Sequence, residues 1–317
     1  MDAATRELMI VGASDRMLSA PDLKYEPPQK KIYHFYPWVA ALVAGDPYAQ
    51  ITLCHRTSAF FAKRPPQTVE ELAKTYAEVF TGYRCEIAEA KHLKPLGLDA
   101  LSLLDRNRDI PPDQVNALKL DLQGSVLDVE TIIAGIDATG PHIFVVTDPG
   151  IAECHDLPAF AAIGIGKQHA TSQFMLARYT RFEDWRKALL LTFIAKKRAE
   201  VSPTVGPVTD LFCINLDRRT HAAQFFDLPI GFHDEFQTVY NTLEDQIAWL
   251  TQQAFHDAGA FVDTEIRRLA QPLPESSASV PAPPPDEAPA AAPEASQRSP
   301  KKKRPRKLAA DKPEASS

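Results

Sequence analysis

A chain of 317 residues, 44% hydrophobic and 24% charged, carries enough apolar material for a sizeable core, and its length allows one large or two medium domains. No apolar run approaches the ~20 residues of a membrane-crossing helix, and Met1-Asp2-Ala3-Ala4-Thr5-Arg6-Glu7 lacks the basic-then-apolar pattern of a secretory signal. The net charge of -6 is uneven: from Gln271 onward eight Lys/Arg face six Asp/Glu, a tail of +2 on a body near -8, which makes the body a poor nucleic-acid surface.

The first elements are predicted to be strands. Leu8 to Ala13 is a short apolar run ending in Ser14-Asp15-Arg16, Lys31 to Tyr36 alternates with a period of two, and Trp38 to Val43 is continuously apolar before Gly45-Asp46. Pro47 to Ala62 and Val69 to Phe80 read as helices, broken by Pro65-Pro66-Gln67-Thr68, with Thr68 as the N-cap ahead of Glu70 and Glu71. Phe60, Phe61 and Phe80 read as core. Cys85 to Gln123 is mixed, polar and helical in part, with no firm placement. Strands resume at Glu130 to Asp137 and His142 to Thr147 around the turn Ala138-Thr139-Gly140-Pro141, and 150–160 could add another. Helices are expected over His169 to Tyr179 and Phe182 to Arg198, then strands over Thr209 to Ile214 and Thr220 to Phe226. From Gly231 to Leu269, Phe236, Tyr240, Leu243, Ile247, Leu250 and Phe255 recur at spacings of three to five, the stripe of one long helix or two.

The order strands, two helices, strands, two helices, strands suits two sheets packed face to face with helices outside, an α+β fold in four layers, αββα. The tail, 271–317, is rich in Pro, Ala and Ser and is expected to be disordered. It contains a basic cluster of Lys301, Lys302, Lys303, Arg304, Arg306 and Lys307. Such a cluster suits nuclear import in a eukaryote, an electrostatic tether to nucleic acid or an acidic partner elsewhere, or plain solubilisation.

Ile10-Val11-Gly12-Ala13-Ser14-Asp15-Arg16, then Lys30-Lys31-Ile32 and Ala40 to Gly45, resembles the opening of proteasome β-type subunits and their bacterial ring-protease relatives, within the N-terminal-nucleophile (Ntn) hydrolases. In that family an acid ends the second strand and a lysine opens the next strand pair about sixteen residues later, the spacing of Asp15 and Lys31. Phe160 to Gly166 resembles the family's glycine-flanked turn before the third helix, and Val205-Gly206-Pro207 its Gly-rich turn before a strand. The resemblance covers roughly residues 7–227 and implies a domain over 1–227, a helical extension over 228–270 and the tail over 271–317.

The chemistry that this implies is hydrolysis of an amide by a Thr, Ser or Cys at the mature N-terminus, whose free amine serves as base. Lys31 would keep that amine neutral near pH 7, and Asp15 would orient Lys31. Read from the residues alone, the same pair is equally an ordinary ion pair at strand ends. Departures are plain. Counting back from Asp15 places the nucleophile before Met1, so the expectation is either a strand upstream of this start or a non-catalytic scaffold of the same fold that recruits a partner through its tail. Ile165 stands between Gly164 and Gly166 where the family has serine, and Glu200 to Thr204 gives no clean counterpart to the family's later acid-to-serine pattern. The implied assembly is a homo-oligomer, ring or dimer, with the 231–269 helix as an interface.

Other constellations carry less. Cys154-His155-Asp156 holds triad residue types, but consecutive side chains diverge. His55, His221 and His233 lack metal-ligand spacing, and Gly164 to Lys167 lacks the phosphate-loop pattern, so no metal or cofactor is expected. Cys54, Cys85, Cys154 and Cys213 form no CxxC pair, which suits free, mostly buried thiols in a reducing compartment, by default the cytoplasm.

Overall fold

The computed structural model describes residues 8–20, 23–106, 110–217 and 222–270. The chain divides into two compact units, Met1–Ala254 and Phe255–Ser317. His221 and the basic cluster at 301–307 lie outside the described residues.

The first unit is a mixed α+β fold built on two antiparallel sheets. Strands β1 (Met9–Ser14), β9 (Asp210–Leu216) and β10 (Ala223–Asp227) form the smaller sheet in the order β1-β9-β10. The larger sheet runs β4 (Ile32–Tyr36), β5 (Val39–Gly45), β6 (Val129–Asp137), β7 (Gly140–Thr147), β8 (Ile151–Cys154), each strand beside its sequence neighbour. A short hairpin, β2 (Leu18–Ala20) with β3 (Leu23–Tyr25), links the sheets in sequence. Residues of such mixed polarity gave no strand signal in the sequence.

Strand β5 shows why its sequence is continuously apolar rather than alternating. Side chains of successive strand residues point to opposite faces, and here both faces are covered. Val39 and Ala41 join Leu53, Leu72, Tyr76 and Phe80 beneath helices α1 (Pro47–Phe60) and α2 (Val69–His92). Ala40 and Leu42 face the other way, into a core shared with Ile10 of β1 and with Phe212 and Ile214 of β9. Strand β6 repeats this division, Ile133 on the first face and Ile132, Ala134 and Ile136 on the second. On the smaller sheet, α6 (Trp185–Ala199) packs against β1, and α5 (Lys167–Leu176) packs against α6.

Several boundaries differ from those the sequence suggested. Helix α2 runs to His92 instead of stopping near Phe80, with Tyr83 packed against the core and Ala88 buried beyond that point. The unplaced stretch after it holds a 3₁₀ turn at Lys94–Leu96, α3 (Ala100–Arg106) and α4 (Pro112–Gly124). Gly140 and Pro141 belong to β7, so the β6–β7 turn is Ala138-Thr139 alone. Phe60 is 64% exposed at the end of α1, with only its neighbour Phe61 entering the core. Cys85 and Cys154 are exposed, and only Cys54 and Cys213 are buried, so the thiols are not mostly buried. Helix α7 (Ile230–Leu269) is one continuous helix. Its first turns meet α6 through Phe193 and Phe236, and Arg198 holds Glu244 with two bonds of 3.0 and 2.6 Å. Among the described residues no helix is long and apolar enough to cross a membrane.

Candidate active site

The end of β1 places Asp15, and the residue before β4 is Lys31. Their side chains meet: Lys31 Nζ donates to Asp15 Oδ1 at 2.9 Å, with both side chains less than a fifth exposed. The other carboxylate oxygen, Oδ2, accepts from Met17 N and from Gly206 N, each at 3.1 Å. Asp15 is therefore fixed from three directions, one of them the loop before β9. A Cβ at Gly206 would meet the carboxyl of Glu26 and the side chain of Met17, so a larger residue there would displace the Glu26 carboxyl. Beside the pair, Arg16 grips Asp210, at the start of β9, through bonds of 2.7 and 2.6 Å. Ser14 pairs with Asp210 in the β1–β9 ladder, so this ion pair locks the end of β1 in register.

Lys196 was not singled out from the sequence. It lies on α6 and is 7% exposed, with Nζ donating to Glu200 at 2.6 Å and to the carbonyls of Gly206 and Pro207 at 2.8 and 3.1 Å. Burial pushes its pKa below the ordinary lysine value, against the pull of Glu200 and Asp15. Lys196 thus holds the 206–207 turn from below while that turn's Gly206 N–H holds Asp15. The available signal was a lysine on the buried stripe Leu189, Phe193, Lys196, with Glu200 four residues on.

Asp15, Lys31 and Lys196 border a cavity of about 1500 Å³, which is also lined by the Gly164-Ile165-Gly166 turn. Gly164 has φ +79°, the left-handed region in which glycine is at ease, and its N–H donates to Glu130 Oε2 at 2.6 Å. The same carboxylate takes Lys167 Nζ, tying the turn to β6. A Cβ at Gly166 would strike Ala199 of α6 and Val205. Ile165 is 71% exposed. All four sequence-derived positions, Asp15, Lys31, Gly164 and Gly166, therefore reach one cavity. Two more cavity residues, Ser14 and Thr204, have hydroxyl oxygens shielded from solvent and with no hydrogen-bond partner among the described residues. Buried hydroxyls without partners are costly, and a bound group that hydrogen-bonds them would remove that cost.

A second polar cluster lies at the β6–β7 turn. Asp156 takes His142 Nδ1 at 2.6 Å, and His142 Nε2 lies 2.6 Å from Thr139 Oγ1. In outline this is a hydroxyl–imidazole–carboxylate relay built on Asp156, which Cys154 also contacts. The Thr139 hydroxyl, however, donates its single proton to Asp137 Oδ1 at 2.6 Å. Asp137 thus competes with His142, also 2.6 Å away, for that proton, and the bonds across the turn make the cluster a brace between β6, β7 and the segment after β8. Asp137 extends the brace to α2 by accepting from Val69 N at 2.9 Å. Cys54 is no nucleophile, because burial pushes its thiol up to about 12.

Among the described residues no group of three or more His, Cys, Asp or Glu is arranged to hold a metal ion. No protein-family model matches the chain, and no curated protein matches it significantly.

Proposed function

We propose that this chain is an Ntn amidohydrolase or peptidase subunit of the proteasome-like class. The observation that carries the reading is the fixed Lys31–Asp15 pair at the wall of a large cavity, bounded by a glycine turn on one side and the loop before β9 on the other. In support, α1 and α2 cover one face of the larger sheet, α6 packs on β1 of the smaller one, and the two sheets contribute to a common core, as a four-layer αββα sandwich would require. Lys31 would lower the proton affinity of a nearby amine, Asp15 would hold Lys31 in place, and the nucleophile would be the N-terminal Thr, Ser or Cys of a strand preceding β1. The native setting would be the cytoplasm, in a homo-oligomer.

The test uses protein isolated from its natural source. Intact-mass and N-terminal analysis should find a processed Thr, Ser or Cys ahead of Asp15, and cleavage of fluorogenic peptide amides should fall at least about 100-fold in a Lys31→Ala variant. A native N-terminus at Met1, together with no amide cleavage, would overturn the reading and leave a non-catalytic scaffold of this fold.

A further inference from the structure

The smaller sheet ends on β1, whose outer edge has no strand beside it among the described residues. Leu216 N donates to Leu8 O, so in the antiparallel ladder the bonds to β9 fall on alternate residues, Ile10, Gly12 and Ser14. Met9, Val11 and Ala13 therefore turn their N–H and C=O groups toward the open edge. Proteins blunt a bare edge with charge, proline or a bulge, and β1 has none of these.

The cavity described above runs along this edge. It is lined by every residue from Leu8 to Asp15, although successive side chains of a strand point to opposite faces, so it lies against the edge itself. It is lined equally by every residue from Ala159 to Gly166. Within that segment Ala161 and Ile163 pack into the core between the sheets, while Phe160 stacks on Phe174 beside α6. The alternation is that of a strand, yet residues 160–163 make no backbone hydrogen bond to any described residue. Small side chains of α6, Ala188, Thr192 and Ala195, line the cavity from one side, and Leu42, Ile132 and Ala134 of the larger sheet line it from the other. The result is a slot with apolar faces and two unpaired main-chain walls.

We propose that this slot holds one further strand, supplied by the chain that leads into β1 and bonded to β1 on one side and to 160–163 on the other. The inference rests on the reading above, which needs a strand ahead of β1, and it gives that strand its place. The occupant follows from the walls, because unpaired N–H and C=O groups on both are matched by an extended peptide and by no purely apolar ligand. The source follows from the topology. Every strand pair in both sheets is antiparallel, and each strand of the larger sheet lies beside its sequence neighbour. A hairpin turn ahead of Leu8 delivers the chain to the edge in that same way. Such a strand starts level with Ser14, whose shielded hydroxyl has no partner among the described residues, and beside the Asp15–Lys31 pair.

Residue-resolved hydrogen exchange on the full chain from its natural source tests this without any measurement of hydrolysis. Exchange at Val11 and Ala13 should be slowed at least about 100-fold relative to unprotected amides, as it is at Ile10 and Gly12 in the ladder with β9. In a variant whose chain begins at Leu8, Val11 and Ala13 should lose that protection while Ile10 and Gly12 keep it, which also shows that the sheet persists. Fast exchange at Val11 and Ala13 in the full chain overturns the proposal, whatever the variant does. Protection that survives the shortening gives the slot to another occupant, a peptide from a partner included, and overturns it as well. Protected amides in a protein that cleaves no amide would uphold the strand and remove only the hydrolase reading.

Discussion

At the scale of single residues, charge is managed by geometry more than by number. Asp156 shows how. Burial alone would raise its pKa, but the Ile143 N–H and the contacts with His142 and Cys154 outweigh burial and hold the carboxyl below the usual aspartate range. A depressed folded-state pKa means that the carboxylate's contribution to stability is complete above the unfolded value near 3.9 and is lost as pH falls through the folded value. The carboxylate's share of the wild-type advantage over Asp156→Asn should therefore shrink as pH falls below about 4. Urea midpoints of both proteins across the acid range check this, and two parallel curves would show that the brace contributes nothing through charge. Asp137 is held low in the same sense and should add to the acid sensitivity of the wild type.

At the scale of elements, α2 gathers most of the first face's core, burying Leu72, Ala73, Tyr76 and Phe80. Its start is fixed by three acceptors. Thr68 Oγ1 accepts from Glu71 N at 3.0 Å, Glu71 reaches back to Gln67 N at 2.7 Å, and Asp137 takes Val69 N. Thr68→Ala removes one of them and should cost about 1 kcal/mol in urea unfolding, with the fold intact. A loss well under half of that would mean that Asp137 and Glu71 satisfy the helix end without it. The Thr68 cap was legible in the sequence because a short side chain before two acids has a local cause. So were β1, β4, β5, β6 and β9, whose apolar runs end at turn residues. The C-terminal half of α2 was not, since after Phe80 only Tyr83 and Ala88 turn to the core, too few to make a periodic apolar signal. Lys196 was hidden for the opposite reason. A lysine in an apolar stripe reads as a surface residue until the carbonyls of Gly206 and Pro207, ten and eleven residues away, are seen to receive it. The Asp15–Lys31 pairing was suggested by spacing and a resemblance, whereas the Gly206 contact that completes it joins residues 191 positions apart and leaves no trace in local sequence.

At the scale of the whole molecule, charge separates along the chain. The body up to Ala270 carries about -8, and the six cations at Lys301, Lys302, Lys303, Arg304, Arg306 and Lys307 stand within seven positions near the C-terminus. A polyanion is repelled by the first and attracted by the second, so any binding should run wholly through the cluster. Six cations on duplex DNA would release counterions with a slope no steeper than about -5 in log K against log salt. Affinity should therefore be measurable at low salt, be lost near physiological ionic strength, and show no preference for sequence, because a basic run contacts phosphates and reads no base edges. Fluorescence anisotropy with labelled duplexes over a salt series measures this. Replacing all six residues by Gln should abolish binding without altering the circular dichroism of the body. Binding that survives the six-fold replacement would place the polyanion site on the folded body despite its net negative charge, and binding insensitive to salt would require contacts other than charge.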